Sequence, residues 1–263
     1  MKKVLSAFAF LLLFSVSGNE ANLLKNGDFS RYKVNWVTNG TVKEEGKTGV
    51  LILSGKNNRA FSRQPIEFDM KKDTFAVSAE ISANKPVQVY IGLIPVDKNW
   101  KEINFRNTGT VPGTFTELAE QLTKNADTAV LKKNIAFKKT GYIAFNAKED
   151  NSDLPNFDLE RFKSISNVNG KTVVKFFRPI KRSYPAGSKV RCHVDGATYL
   201  YSSILSKGFP GKIQASGKVG INAKTKFRPG TAGFKVCLFI VPRKTAKDVK
   251  VEFRNVRITK VNK

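Results

Sequence analysis

The chain has 263 residues, with 46 Lys and Arg against 21 Asp and Glu, a formal charge of +25 at neutral pH. A surface that basic attracts polyanions and repels basic partners. Its basic residues are scattered as pairs such as Lys132-Lys133, Lys138-Lys139, Lys181-Arg182 and Arg243-Lys244 rather than gathered into a stripe or a recognised motif, which argues against a nucleic-acid partner. Two readings of the charge remain: a generally cationic surface that keeps the protein soluble, or an acidic or sulfated glycan as partner.

In chain order, the first element stands outside the fold. Lys2 and Lys3 precede the apolar run Val4 to Val16, and Ser15, Ser17 and Gly18 offer a cleavage site, the pattern of a secretory signal peptide over residues 1–21. That run is shorter than the ~20 residues that span a bilayer, and no later run reaches that length. With no cysteine near the cleavage site to carry a lipid, the expectation is a secreted or periplasmic monomer without a transmembrane segment.

The remainder reads as strands. Phe, Val, Ile and Thr dominate short stretches broken at close intervals by Gly, Pro, Asn and Asp, and helical signals are poor. Thr74 to Ala83 alternates, with Phe75, Val77, Ala79, Ile81 and Ala83 on one face and Ser78, Glu80 and Ser82 on the other. Val87, Val89, Ile91 and Leu93 repeat the inward pattern, which turns Gln88 and Tyr90 outward, and Asn84-Lys85-Pro86 between the two runs reads as a hairpin turn. Later, Val219, Ile221 and Ala223 share a face, Phe227 to Thr231 forms a turn, and Phe234 to Val241 is a strand. The phase of Val249, Val251 and Phe253 then slips to Val256 and Ile258, which predicts a bulge near Arg254-Asn255.

"NLLKNGDFS" at 22–30 followed by Trp36, "KFRPGT" at 226–231 and the closing "VEFRNVRITKV" at 251–261 together resemble the first and last strands of carbohydrate-binding modules of the galactose-binding-like jelly-roll type. The resemblance covers about 22–97 and 197–261. It implies an all-β jelly-roll sandwich in which the first and last strands pair, Asn26-Gly27 makes a tight turn and Phe29 drops into the core. The family often places an Asp before the Asn of the final strand, where it helps hold a structural calcium. This chain has Arg254 there, which argues against that calcium; Asp28 stays as a candidate oxygen ligand or, in the duller reading, a turn residue.

The resemblance leaves 98–196 unexplained, and this stretch reads as a β-rich insertion emerging from one loop of a sandwich built from 22–97 and 197–263. Thr114-x-x-Glu117 before Leu118 is a capping signal for a short helix, and Asn169-Gly170 marks a hairpin. Cys192 and Cys237 fit an oxidising compartment, where a bridge closing the ~46-residue loop would contribute roughly 4 kcal/mol; two buried thiols are the other reading.

Catalytic signals are weak. "KEDNSDLPNFDLE" gathers Glu149, Asp150, Asp153, Asp158 and Glu160 as a solvated loop or one docked on neighbouring Lys and Arg, with a metal or a carboxylate pair as the sharper readings. His193 is the only histidine, and its strand neighbour Cys192 points to the opposite face, which argues against a dyad. No catalytic residue is therefore assigned. Aromatics are the remaining candidates, since sugar rings present apolar faces that pack on flat side chains. Tyr90 with Gln88, Trp100 and Trp36 are the expected ligand-binding residues, although Trp36 follows the opening motif closely enough for a core role; Tyr199, Tyr201 and Phe209 stand behind them. The expected function is a secreted, non-catalytic carbohydrate-binding protein, for an anionic polysaccharide in its sharpest form and without an assigned cofactor. A secreted glycan-cleaving enzyme and a structural or adhesive surface protein are the alternatives.

Overall fold

A computed structural model describes residues 21–55, 58–133, 135–137, 140–205, 211–242 and 248–261. The expected signal peptide, apart from Ala21, and also Phe209, Lys138-Lys139 and Arg243-Lys244 lie outside the described residues. Before the central stretch run β1 (Trp36–Thr38), β2 (Thr41–Glu45), β3 (Thr48–Ser54), β4 (Arg59–Ser62), β5 (Ile66–Glu67), β6 (Thr74–Ala83) and β7 (Gln88–Val96). A 3-10 turn at Phe105–Asn107 leads into β8 (Thr116–Glu117), β9 (Thr128–Leu131), β10 (Gly141–Phe145), β11 (Leu159–Val168), β12 (Lys171–Phe176) and β13 (Lys189–His193). The chain closes with β14 (Leu200–Leu205), β15 (Gly211–Gly220), β16 (Gly233–Val241) and β17 (Lys250–Lys260). Among the described residues no helix is long and apolar enough to cross a membrane.

The fold is all-β. One sheet has the order β1-β4-β16-β7-β14 with β5 on β16, a second has β15-β6-β17-β3-β2, and a third, β8-β13-β10-β11-β12-β9, is drawn wholly from the central stretch. Phe29, Trp36, Leu51, Phe75, Ile91, Phe234 and Phe253 belong to the apolar core shared by the first two sheets. The third has its own, built on residues such as Leu118, Ile143, Phe145, Phe162 and Val190. Strand alternation explains the first core directly: Phe75, Val77, Ala79 and Ile81 on β6 are at most 2% exposed, whereas Glu80 between them is exposed.

On β17 the inward phase slips, as the sequence pattern predicts. The register with β6 shifts between Arg254 and Arg257, and Asn255 takes a left-handed φ of 47°. This extra residue lets Val251 and Phe253 on one side and Val256 and Ile258 on the other all face the core. The Asn169-Gly170 hairpin is also present, joining β11 to β12 with φ of 50° and 75°.

The opening segment runs beside β17. Leu23 N–H donates to the Ile258 carbonyl at 2.8 Å, the Asn22 side chain donates to the Val256 carbonyl and accepts from Ile258 N–H at 2.9 Å each, and Val256 N–H donates to the Gly27 carbonyl at 2.9 Å. Gly27 is needed for this approach rather than for a turn: a Cβ there would lie 2.1 Å from the Val256 carbonyl oxygen. The turning is done by Asn26, at φ 55°, whose amide donates to the Tyr32 and Val34 carbonyls at 2.9 and 2.7 Å. Phe29, 1% exposed, then packs on Trp36 with ring centroids 5.3 Å apart.

Two local expectations are corrected. Asn84-Lys85-Pro86 is not a hairpin turn, because β6 belongs to the second sheet and β7 to the first; the chain crosses the sandwich there, with Asn84 accepting from Lys250 N–H at 2.7 Å. A hairpin and a crossover both need two alternating strands and a turn, so alternation does not separate them. Thr114 caps no helix. Its hydroxyl donates to the Val111 carbonyl at 2.6 Å and accepts from Cys192 N–H at 3.1 Å, and Thr116–Glu117 becomes an edge strand on β13.

Gly27→Ala should therefore destabilise the protein by roughly 1–3 kcal/mol through overpacking against β17, read as a lowered urea midpoint. Gly46→Ala, at φ 64° in open space, serves as the control that separates backbone strain from crowding. Equal midpoints for Gly27→Ala and the wild type would show that the opening segment is not held against β17.

Candidate functional site

Tyr90 lies where strand alternation places it, on the side of β7 away from the core residues Val89 and Ile91. There it meets other aromatics. Its ring stacks on Phe239 of β16 at 4.5 Å and 6°, Tyr201 of β14 stands 5.2 Å away, and Tyr199 bridges toward Phe61 of β4 at 6.5 Å. Tyr90, Tyr199, Tyr201 and Phe61 are each partly exposed around the nearly buried Phe239. Gln88 is half-buried on the same face, next to Val241, which is 45% exposed. Four strands thus contribute to one aromatic patch on the outer face of the first sheet.

Trp36 does not join this patch. It is 1% exposed, packed on Phe29, with its indole N–H donating to the Asn26 carbonyl at 3.0 Å, so it has no face to offer a ligand. Trp100 is 43% exposed, and its ring lies against Gly233 at the end of β16, on the face shared with Lys235, Cys237 and Phe239. It marks the passage from the aromatic patch to a cleft that sequence reasoning missed.

That cleft has a volume of about 760 Å³ and lies between the connector 101–107 and residues 142, 157–161 and 177–181 of the central stretch. Among the described residues lining it are the cations Lys101, Arg106, Arg161, Arg178 and Lys181 and the aromatics Tyr142, Phe157 and Phe177. Three of the cations sit over rings: Lys101 over Phe157 at 3.7 Å, Arg161 over Phe177 at 4.8 Å and Arg106 over Tyr142 at 5.5 Å. Tyr142 of β10 stands directly opposite Arg161 of β11, so sheet register supplies two of these groups from one cross-strand pair. Glu102 and Glu160 complete the wall, and burial raises the Glu160 carboxyl above its ordinary range against the pull of Lys181. Only the cations at 101, 106, 161, 178 and 181 read together would have signalled the cleft, and nothing in their spacing joins them.

The acidic run forms the support behind the cleft. Arg191, 4% exposed, pairs with Asp153 at 2.9 Å and donates to the Lys148 carbonyl at 2.8 Å; its Nε donates to His193 Nε2 at 3.2 Å. His193 Nδ1 lies 2.7 Å from the Arg106 carbonyl, so with Nε2 accepting, Nδ1 carries the proton and holds the connector in place. Asp158 accepts from the Tyr184 hydroxyl at 2.7 Å and lies 3.6 Å from Arg182. These groups are engaged with one another, which makes the run a docked scaffold. Asp28 accepts from Ser30 N–H and Oγ at 3.2 and 3.0 Å, the geometry of a turn, and no group of three or more His, Cys, Asp or Glu among the described residues is placed to hold a metal ion. Arg254 is instead paired with Glu45 at 2.6 Å and Glu252 at 2.8 Å.

Cys192 and Cys237 are free and buried, so the expected bridge is corrected. Cys192 belongs to the core of the third sheet and Cys237 to the outer side of the first, in separate apolar clusters that a short S–S link does not join.

No family profile matches the chain, and no curated protein matches it. Among solved structures the chain is similar to a protein of Bacteroides thetaiotaomicron VPI-5482 provisionally named for sugar binding, at 13% identity and a TM-score of 0.30, over 92% of this chain and 100% of that one. It is also similar to VP17, a capsid protein of bacteriophage P23-77, at 8% identity and a TM-score of 0.14, over 86% of this chain and 92% of that one. Neither likeness is close enough to place a residue.

Burial pushes both thiols up to about 12. In the folded protein neither should react with a thiol reagent near pH 8, and after denaturation without reductant both should. Denatured protein that yields no thiol would restore the bridge.

The scaffold also makes the protein acid-sensitive. Burial holds the His193 imidazole below its ordinary range, against the hydrogen bond to the Arg106 carbonyl. Burial raises the Asp153 carboxyl, but hydrogen bonds from Asn156 and Lys148 and the Arg191 charge outweigh it, so the net shift is downward. Both groups bind protons less readily folded than unfolded. Their stabilisation is complete above about pH 6.5 for His193 and about pH 4 for Asp153, and is lost as pH falls below each. Tm should drop from about pH 6.5 downward, then again below about pH 4. His193→Gln should remove only the first drop; an unchanged Tm between about pH 7 and about pH 5 would overturn the assignment of a buried neutral imidazole.

Proposed function

We propose that this is an exported, non-catalytic carbohydrate-binding protein that packs sugar rings on the outer aromatic face of its first sheet. The observation that carries this reading is the face-to-face Tyr90–Phe239 stack, flanked by Tyr201, on the outer side of a sheet whose other side is fully engaged in the core. A sugar ring needs such a flat apolar surface beside groups that bond its hydroxyls, and Gln88, the Tyr90 and Tyr201 hydroxyls and the Tyr199 hydroxyl supply them. The sheets support a domain made of 22–97 and 197–263, with 98–196 inserted as a lobe. Export rests on the leader pattern of residues 1–21. A non-catalytic role is favoured by the carboxylates Asp153 and Asp158, which are committed to Arg191, Tyr184 and Arg182 rather than held across a gap from one another. The excess of basic residues favours an acidic polymer as the glycan.

A glycan array on the mature protein identifies the polymer. Tyr90→Ala should then weaken its binding by roughly 1–3 kcal/mol, the loss of one stacking surface, while stability falls by no more than about 1.5 kcal/mol because one aromatic pair is lost. Unchanged affinity in a folded Tyr90→Ala protein would remove this face as the binding surface.

A further inference from the structure

We propose that the cleft between the connector and the lobe is a second subsite, which takes the carboxylate- or sulfate-bearing unit of an acidic polysaccharide. This rests on the carbohydrate-binding reading above and adds to it where the charge is recognised.

The convergence of five cations and three aromatic rings on one cavity carries the inference. Some basic residues elsewhere are held by carboxylates: Lys132 and Lys189 both hold Glu117, whose carboxyl is drawn down to about 2, and Arg254 holds Glu45 and Glu252. Among the described residues none of Lys101, Arg106, Arg161, Arg178 and Lys181 is in an ion pair, although all line one cavity. Their charge converges on the cavity, where five cations outnumber the two carboxylates Glu102 and Glu160. An anionic group entering there gains charge-assisted hydrogen bonds, which are the strong ones.

The chemistry of the wall selects the class of anion. Three rings lie under Lys101, Arg106 and Arg161, which leaves less of their faces for stacking a nucleobase but keeps the cations oriented into the cleft. Glu102 and Glu160 stand among the cations. A sugar offers them hydroxyl donors beside its acidic group, which a phosphodiester unit of DNA, without free hydroxyls on its sugar, does not. The volume, about 760 Å³, is within the range that encloses a small ligand. Continuity with the aromatic patch is given by Trp100, which lies against Gly233 next to Lys101, and by Lys235, whose ammonium is 3.8 Å from Glu102. A chain stacked on Tyr90 can thus continue past Trp100 to place an acidic unit in the cleft.

The test measures binding of the full mature chain to dextran sulfate and polygalacturonate, to dextran and carboxyl-reduced polygalacturonate, and to a single-stranded DNA oligonucleotide, at low and high salt. Arg161→Ala/Arg178→Ala should weaken both acidic polysaccharides about tenfold or more, and Lys43→Ala/Lys47→Ala, an equal charge change at exposed positions on β2 and the turn after it, should change them less than about twofold. Should the first variant fail to fold, Arg178→Gln/Lys181→Gln, at two exposed side chains, makes the same comparison. Equal losses from the cleft and control variants would overturn the cleft and leave carbohydrate binding standing. Equal, salt-insensitive binding of acidic and neutral polymers would overturn the acidic unit with the same consequence. DNA bound as tightly as the acidic glycans, and lost with the cleft arginines, would overturn the sugar in favour of a nucleic acid. Failure of every glycan on the array would sink the carbohydrate reading itself, and this inference with it.

Discussion

The arrangement of the whole molecule depends on one buried guanidinium. Arg228, 6% exposed, follows Phe227 in the turn before β16 and donates to the carbonyls of Ile103, Ala197 and Thr198. Ile103 belongs to the connector leading from β7 to the third sheet, and Ala197 and Thr198 to the one returning to β14. A single charged fork therefore ties both crossings to the first sheet, and its rigid planar geometry suits it to several carbonyls at once. Burial lowers its pKa to about 10, still far above neutrality, so the clasp stays charged. Without it the two connectors would leave three carbonyls to be satisfied elsewhere, and the 101–107 segment that forms one wall of the cleft would lose its tie to the turn before β16.

Around that clasp the central stretch organises its polar residues in two distinct ways. Behind the cleft, Arg191, Asp153, His193 and Asn156 form a closed set in which each buried group has a partner, the condition under which buried polar groups fix a conformation rather than weaken it. Inside the cleft the cations make no ion pair among the described residues, and three of the five rest on aromatic rings. The first set engages Asp153 of the acidic run, while Glu160 of the same run stands in the cleft wall; the second gathers part of a diffuse basic composition into a local field.

The two surfaces differ in how much of them is visible along the chain. Tyr90 and Gln88 lie on the outer face because β7 alternates, and a period of two is enough to tell their side from the core side. Phe239, Tyr201 and Phe61 come from strands that are neighbours only in the sheet, so their meeting with Tyr90 depends on the order β4-β16-β7-β14. Trp36 shows the converse: a large aromatic near a motif is equally compatible with core and surface until its strand has a sheet on each side of it.

The sequence by itself determined the all-β character, the inward faces of β6 and β7, the slip at Arg254-Asn255 and the Asn169-Gly170 hairpin, because each is a property of a few consecutive residues: alternation, phase or turn chemistry. Tertiary structure alone decided that Asn84-Lys85-Pro86 crosses between sheets, that Gly27 is required by Val256 rather than by a turn, that Cys192 and Cys237 lie apart, and that cations at 101, 106, 161, 178 and 181 share a cleft. Each of these is a relation between residues distant in the chain, fixed by which strands pair and which faces meet. A local pattern constrains where a side chain points; it carries no record of what it will point at.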